Sequence, residues 1–188
     1  MRHRLALGLI ANLSLLPAAC AATAAEAPPR VGAARSVATR PNAAPASCPT
    51  TRPPDPPFVP PAPYPSTPPS VESDKVWYGT NQLWTWLDTD GTWEMARDEH
   101  GLFDKSFWWR QGYDWRTETA PRLRVTGRRL DASAPAVTVS DATNGFEQTM
   151  GAFMLVGLEL PAGGCWELTG HYHGSSLRLV VWVTRWQP

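Results

Sequence analysis

The sequence predicts an all-β fold of the sandwich type, and three observations carry that expectation. From Val71 onward, short runs of aromatic and β-branched residues recur along the chain, the pattern of strands that each bury one face. Turn-forming residues separate the runs, among them Asp88-Thr89-Asp90-Gly91, Gln111-Gly112, Ala134-Pro135, Asn144-Gly145, Pro161-Ala162-Gly163-Gly164 and His173-Gly174. No sustained helical period of apolar residues occurs, and only Ala96 to Leu102 reads as a helical turn. Many short strands joined by polar turns make a sandwich or a barrel.

The N-terminus comes first and sets the compartment. Met1-Arg2-His3-Arg4 is basic, Leu5 to Ala19 is an uncharged and mostly apolar run of 15 residues, and an Ala-rich stretch continues to Ala27. Basic region, apolar core and small-residue zone in that order predict a signal peptide over residues 1–24. The apolar run is shorter than the roughly 20 residues of a membrane span. Two processing routes compete. Ala22-Thr23-Ala24 is a cleavage site that releases a secreted protein, whereas Leu16-Pro17-Ala18-Ala19-Cys20 resembles a bacterial lipobox with Pro17 in place of the usual Leu. The second route lipidates Cys20 and leaves a membrane-anchored lipoprotein. Either one leaves Cys48 and Cys165, and in an oxidising compartment an even pair reads as a disulfide. The expected location is therefore extracytoplasmic, and the preference for Arg over Lys (15 against 2) fits a GC-rich bacterial genome.

Residues 25–47 hold little to bury and read as a disordered Ala/Pro-rich linker. Residues 28–69 contain 15 of the 20 Pro, while residues 77–186 contain all 10 Trp. Segment 48–70 is proline-rich and polyproline-like, yet Phe58, Val59 and Tyr64 are apolar side chains that a plain spacer lacks. It is expected to dock on a β-sandwich domain spanning 48–188. Net charge is zero with pI near 6.9, and residues 71–188 carry 15 acidic and 11 basic groups. That balance argues against a nucleic-acid partner.

The candidate strands follow in order: 75–78, 82–87, 92–96, 106–110, 122–128, 136–140, 152–160, 165–172 and 177–183. Asp88 to Gly91 is expected to close a hairpin between the second and third. The last two form a long hairpin. Alternation along them places Trp166, Leu168, Gly170 and Tyr172 inward with Leu177, Leu179, Val181 and Val183, and places Cys165 on the outer face. A bridge from Cys48 to Cys165 then pins the Pro-rich segment across the outside of this sheet.

The terminal hairpin resembles that of secreted immunoglobulin-like modules. More closely, the body from Trp77 to Val183 resembles a group of uncharacterised secreted bacterial proteins. The motifs that carry the likeness are Trp77-Tyr78-Gly79, Phe107-Trp108-Trp109-Arg110, Val125-Thr126-Gly127-Arg128-Arg129-Leu130 and Gly164-Cys165-Trp166-Glu167. The resemblance implies an immunoglobulin-like β-sandwich outside the cytoplasm and brings no activity with it.

Candidate chemistry is sparse. His171-x-His173 puts two imidazoles on one strand at a spacing metal sites use, although two exposed histidines beside a Gly turn is the simpler account. Asp98, Glu99, Asp104 and Asp114 supply carboxylates, but a small domain is expected to offer little cleft volume for glycoside cleavage. No nucleophile motif and no cofactor motif is present. The aromatics remain. Trp84, Trp86, Trp108, Trp109, Tyr113 and Trp115 are expected to leave some rings exposed for stacking on sugars. The resulting expectation is a monomeric, non-catalytic envelope or binding module whose partner is an envelope glycan or another envelope protein. The alternative is a small metal-dependent enzyme or metal-binding protein using His171 and His173.

Overall fold

The computed structural model describes residues 42–69 and 74–186. The expected signal peptide, the Cys20 lipidation site and most of the 25–47 linker lie outside the described residues. The fold is all-β. Its strands are β1 (Lys75–Thr80), β2 (Leu83–Asp88), β3 (Thr92–Arg97), β4 (Leu102–Trp108), β5 (Arg124–Arg129), β6 (Thr138–Val139), β7 (Thr143–Glu147), β8 (Gly151–Leu160), β9 (Gly164–Tyr172) and β10 (Ser175–Arg185).

β1 and β2 make a separate two-stranded sheet, and the other strands form one long sheet ordered β5-β9-β10-β3-β4-β8-β6, with β7 also on β8. Only the β10–β3 pair is parallel among these ladders. The sheet curls until its two ends approach each other. A Cβ built on Gly127 of β5 would stand 3.0 Å from Val137 Cγ1, one residue before β6. The result is a nearly closed, barrel-like sheet whose interior is the main core.

The β9–β10 hairpin shows how sequence alternation makes that core. Its ladder runs from Tyr172↔Ser175 to Gly164↔Val183. Trp166, Leu168 and Tyr172 are buried together with Leu177, Leu179, Val181 and Val183, as the alternation predicts. Each such side chain contributes about 1.5–3 kcal/mol by leaving water. The turn residues His173 and Gly174 have φ of 47° and 81°, the left-handed pair that a two-residue hairpin turn requires. Gly170 is fixed by packing instead, because a Cβ there would stand 2.4 Å from Trp108 Cζ3.

Cys48 and Cys165 are bridged, with a Cα–Cα distance of 5.6 Å. The pairing predicted from the sequence is therefore present. Beyond the bridge, Thr51 N donates to Val180 O at 2.8 Å and Thr51 Oγ1 accepts from Val180 N at 2.8 Å. Further along, Phe58 and Tyr64 reach a second, outer cluster built from Trp77, Trp84, Trp109 and Phe153. Tyr64 stands edge-on to Trp84 at 5.0 Å, Phe58 lies 5.9 Å from the same ring, and Trp77 Nε1 donates to Pro65 O at 3.0 Å. Thus the Pro-rich segment contributes side chains and carbonyls to the Trp cluster.

Three local expectations are corrected. Ala96 to Leu102 is not helical; it is the end of β3, a turn, and the start of β4. Asp98 Oδ1 accepts from His100 N at 2.7 Å and Gly101 N at 3.2 Å, and Gly101 has φ +147° with no room for a Cβ against Leu160 O. Asn144-Gly145 is not a turn but lies within β7, because Gly145 sits against the Phe153 ring. The turn comes later, where Glu147 Oε2 accepts from Thr149 N and Met150 N at 2.8 and 2.9 Å. Asp88 to Gly91 does turn tightly, with Gly91 N donating to Asp88 O at 2.9 Å, but its flanking strands are not partners. β2 pairs with β1, and β3 pairs with β10 and β4.

Candidate functional site

β3 and β4 leave their shared turn as a hairpin and separate almost at once. They pair only at Ala96↔Phe103 and Arg97↔Leu102. β3 is then held by β10 and β4 by β8, so the two strands diverge and a gap opens in the barrel wall. β2 lies across the far end of that gap. Trp84 and Trp109 exchange backbone hydrogen bonds of 3.0 and 2.9 Å, and Thr85 Oγ1 donates to Phe107 O at 2.8 Å. What remains open is a cleft of about 540 Å³, within the range of small-molecule sites. The expectation of little cleft volume is therefore corrected. It overlooked that a curled sheet gains a cavity wherever two neighbouring strands part.

The cleft has an apolar floor and a polar wall. Leu87, Trp108, Leu168, Leu179 and Val181 supply the floor. Along β4, Leu102, Ser106 and Trp108 are buried and Asp104 is half-buried, while Phe103 and Lys105 are exposed, so Asp104 and Ser106 share the inward face with Trp108. Asp104 Oδ2 accepts from Trp93 Nε1 at 2.6 Å and Oδ1 accepts from Lys105 N at 2.7 Å. These bonds fix the carboxylate and the indole side by side in the wall. Ser106 is only 5% exposed and lines the cleft. At the rim, Trp86 lies 5.2 Å from Phe107. Lys75 Nζ meets Asp88 Oδ1 at 2.9 Å, and Glu94 Oε1 accepts from Asn42 Nδ2 at 3.0 Å.

The six aromatic residues expected to present stacking surface part ways here. Trp84, Trp108, Trp109 and Tyr113 are buried. Trp84 and Trp109 belong to the outer cluster, and Trp108 and Tyr113 to the barrel core, so these four offer no open ring face. The physical reason differs for the two pairs: Trp84 and Trp109 lie under the β1–β2 sheet and the Pro-rich segment, whereas Trp108 and Tyr113 face the barrel interior. Trp86 and Trp115 are half-buried. Trp86 lines the cleft, whereas Trp115 is stacked on exposed Phe146 at 5.6 Å, with Arg116 4.9 Å above it.

His171 is exposed and pairs in the ladders with Arg124 and Ser176. His173 occupies the hairpin turn, its ring 4.2 Å from Tyr172 and its Nε2 3.5 Å from Glu118 Oε1. No group of three or more His, Cys, Asp or Glu that could hold a metal ion occurs among the described residues. Asp98 and Asp114 cap turns, Asp114 Oδ1 accepting from Arg116 N at 3.0 Å. Of the four carboxylates singled out from the sequence, only Asp104 lines the cleft.

Electrostatic effects elsewhere are structural. Burial pushes the Tyr113 phenol up to about 12, with Glu118 adding to it. Burial also raises Tyr172, which donates to Glu118. A hydrogen bond from Arg128 holds the Glu167 carboxyl below the usual range, with Arg178 on its other oxygen.

Sequence reasoning missed Trp93, Ser106 and both lysines as members of one site. Two signals were available. Asp104 and Ser106 sit two apart in an otherwise apolar alternation, Leu102-x-Asp104-x-Ser106-x-Trp108, which is unusual on a buried face. In addition, the only two Lys of the chain, Lys75 and Lys105, both line this cleft. Comparison with protein-family models, curated proteins and solved structures finds no match to this chain.

Proposed function

We propose that the protein is an extracytoplasmic, non-catalytic binding module that holds a saccharide unit of an envelope polymer in the β3–β4 cleft. One observation carries this reading: a 540 Å³ cleft joins Trp rings, an apolar floor and inward-facing Asp104 and Ser106. A sugar ring has an apolar C–H face to lay on indole and hydroxyls to donate to a carboxylate, and the cleft answers both. The Cys48–Cys165 bridge supports the extracytoplasmic placement, since such bonds persist outside the reducing cytosol. The immunoglobulin-like likeness belongs with this proposal as a reading of the β9–β10 hairpin, where Trp166 follows the bridged Cys165.

The test is a titration of intrinsic Trp fluorescence with defined wall-glycan fragments, run on the wild type and on Trp93→Ala. Saturable quenching is expected in the wild type, with affinity lowered about tenfold or more in the variant, as for an aromatic anchor residue. Absence of any saturable change with every glycan tried defeats the proposal.

A further inference from the structure

We propose that the outer face of β5, β9 and β10 is a second binding surface, which holds a phosphodiester chain of the envelope and is independent of the saccharide reading of the cleft. The β9–β10 hairpin has two faces. Leu168, Leu179 and Val181 line the cleft on one, and Glu167, Thr169, His171, Ser176 and Arg178 stand on the other. β5 extends that outer face with Arg124, Thr126 and Arg128, all exposed. The ladders set these residues in rows: Arg124, His171 and Ser176; Thr126, Thr169 and Arg178; Arg128, Glu167 and Val180. Thr51 bonds to Val180 and closes the end of the last row, whereas every residue of the first row is exposed. Three arginines therefore surround two threonines. The Cα atoms of Arg124 and Arg128 lie about 13 Å apart along β5, and Arg178 lies about 10 Å across the strands.

Pairing within the face leaves it cationic. The Glu167 carboxylate accepts from Arg128 Nε at 2.7 Å and from Arg178 Nη1 at 3.1 Å. The Glu167 side chain is only 12% exposed, yet those of Arg128 and Arg178 remain 68% and 69% exposed. One carboxylate thus holds two guanidiniums upright in solvent, and each keeps most of its five N–H donors for a ligand. Arg124 makes no ion pair among the described residues. Three Arg against Glu167 bring the rows to a formal +2 with His171 counted neutral. Residues 71–188 together carry 15 acidic and 11 basic groups, so this face has the opposite sign to the body that bears it and attracts an anion. A phosphodiester chain matches it. Each anionic unit presents two free oxygens to a guanidinium fork, with the Thr126 and Thr169 hydroxyls between the forks as donors. The exposed residues of the three rows are all polar, so the face has nothing to insert into a bilayer.

Fluorescence anisotropy of labelled poly(glycerol phosphate), titrated with the full-length protein in low salt, tests the idea. Saturable binding is expected, and it should weaken steeply as salt is raised. Arg124→Glu, at an exposed side chain with no ion pair to lose, is expected to lower affinity at least about tenfold. Arg97→Glu makes the same charge change on β3, outside this face, and is expected to cost less than about threefold. Thr126→Lys adds a cation at the centre of the face and is expected to tighten binding. It serves as the second variant should Arg124→Glu fail to fold. Absence of saturable binding overturns the proposal, as do equal losses in the two Glu variants or no gain from Thr126→Lys. Polygalacturonate bound as tightly as the phosphodiester chain overturns the phosphate assignment. Phosphatidylglycerol vesicles bound in preference to the polymer transfer the face to a membrane and overturn it too.

Discussion

The seam between β2 and β4 has two ends built from similar residues with opposite fates. At one end Trp84 pairs with Trp109, both rings are fully buried, and Phe58 and Tyr64 pack on Trp84. At the other end, two residues further along β2, Trp86 is only half-buried: its ring packs on Phe107 and Trp109 at the edge of the outer cluster, and the residue also lines the cleft. The difference lies in the neighbours. The closed end has backbone pairing and a Pro-rich cover, whereas the open end has neither, because β3 has turned away to join β10. Indole content therefore does not separate a core from a binding surface in this fold. Strand divergence does.

The largest test removes the anchor of the cover. Replacing Cys48 and Cys165 together by Ser releases a link across 117 residues and is expected to cost about 4–5 kcal/mol in the chain-entropy account, read from urea denaturation. Closed-end Trp emission should shift red if the cover loosens with it. A stability loss well under that figure, with unchanged emission, means the Pro-rich segment holds on by its own contacts. Next in size is Trp84→Ala, expected to destabilise by about 3–5 kcal/mol as a fully buried ring is deleted. Trp86→Ala at the open end is expected to cost clearly less in the same assay. Equal costs would erase the contrast between the ends.

A pH measurement probes the same boundary. Burial raises the Tyr64 phenol above its ordinary value. A group whose folded value is raised contributes stability that is whole below the unfolded value, about pH 10 for tyrosine, and is lost as pH rises through the folded one. Phenolate absorbance should therefore show a late-titrating component that Tyr64→Phe deletes and that moves toward the ordinary value in the reduced protein. The smallest effect is the most telling for the open end. Ser106→Ala is expected to change stability by no more than about 0.5–1 kcal/mol, because it removes a single hydroxyl from a side chain that lines the cleft. A loss above that range assigns the hydroxyl a structural bond.

Much of the fold was legible because strand alternation is a local property. The inward faces of β9 and β10, the Cys48–Cys165 pairing and most strand positions follow from residues read two at a time. β7 was hidden, since Asn144-Gly145 carries a turn signature and only the Phe153 ring against Gly145 explains the extended backbone. The site was hidden for a related reason. Trp93 and Asp104 come from strands that are neighbours in sequence, yet their meaning depends on those strands separating after Phe103. That separation is dictated by β8 and β10, which begin at Gly151 and Ser175, far downstream of Asp104.

The sequence by itself determined most of the strands, the inward faces of β9 and β10 and the Cys48–Cys165 pair, because period-two patterning and cysteine parity act locally or by simple count. Tertiary structure alone decided which Trp rings are sealed and which stay open, and that Asp104, Ser106 and Trp93 share a cleft. Those outcomes depend on which distant strand captures each side of the β3–β4 pair, and long-range capture leaves no periodic trace along the chain.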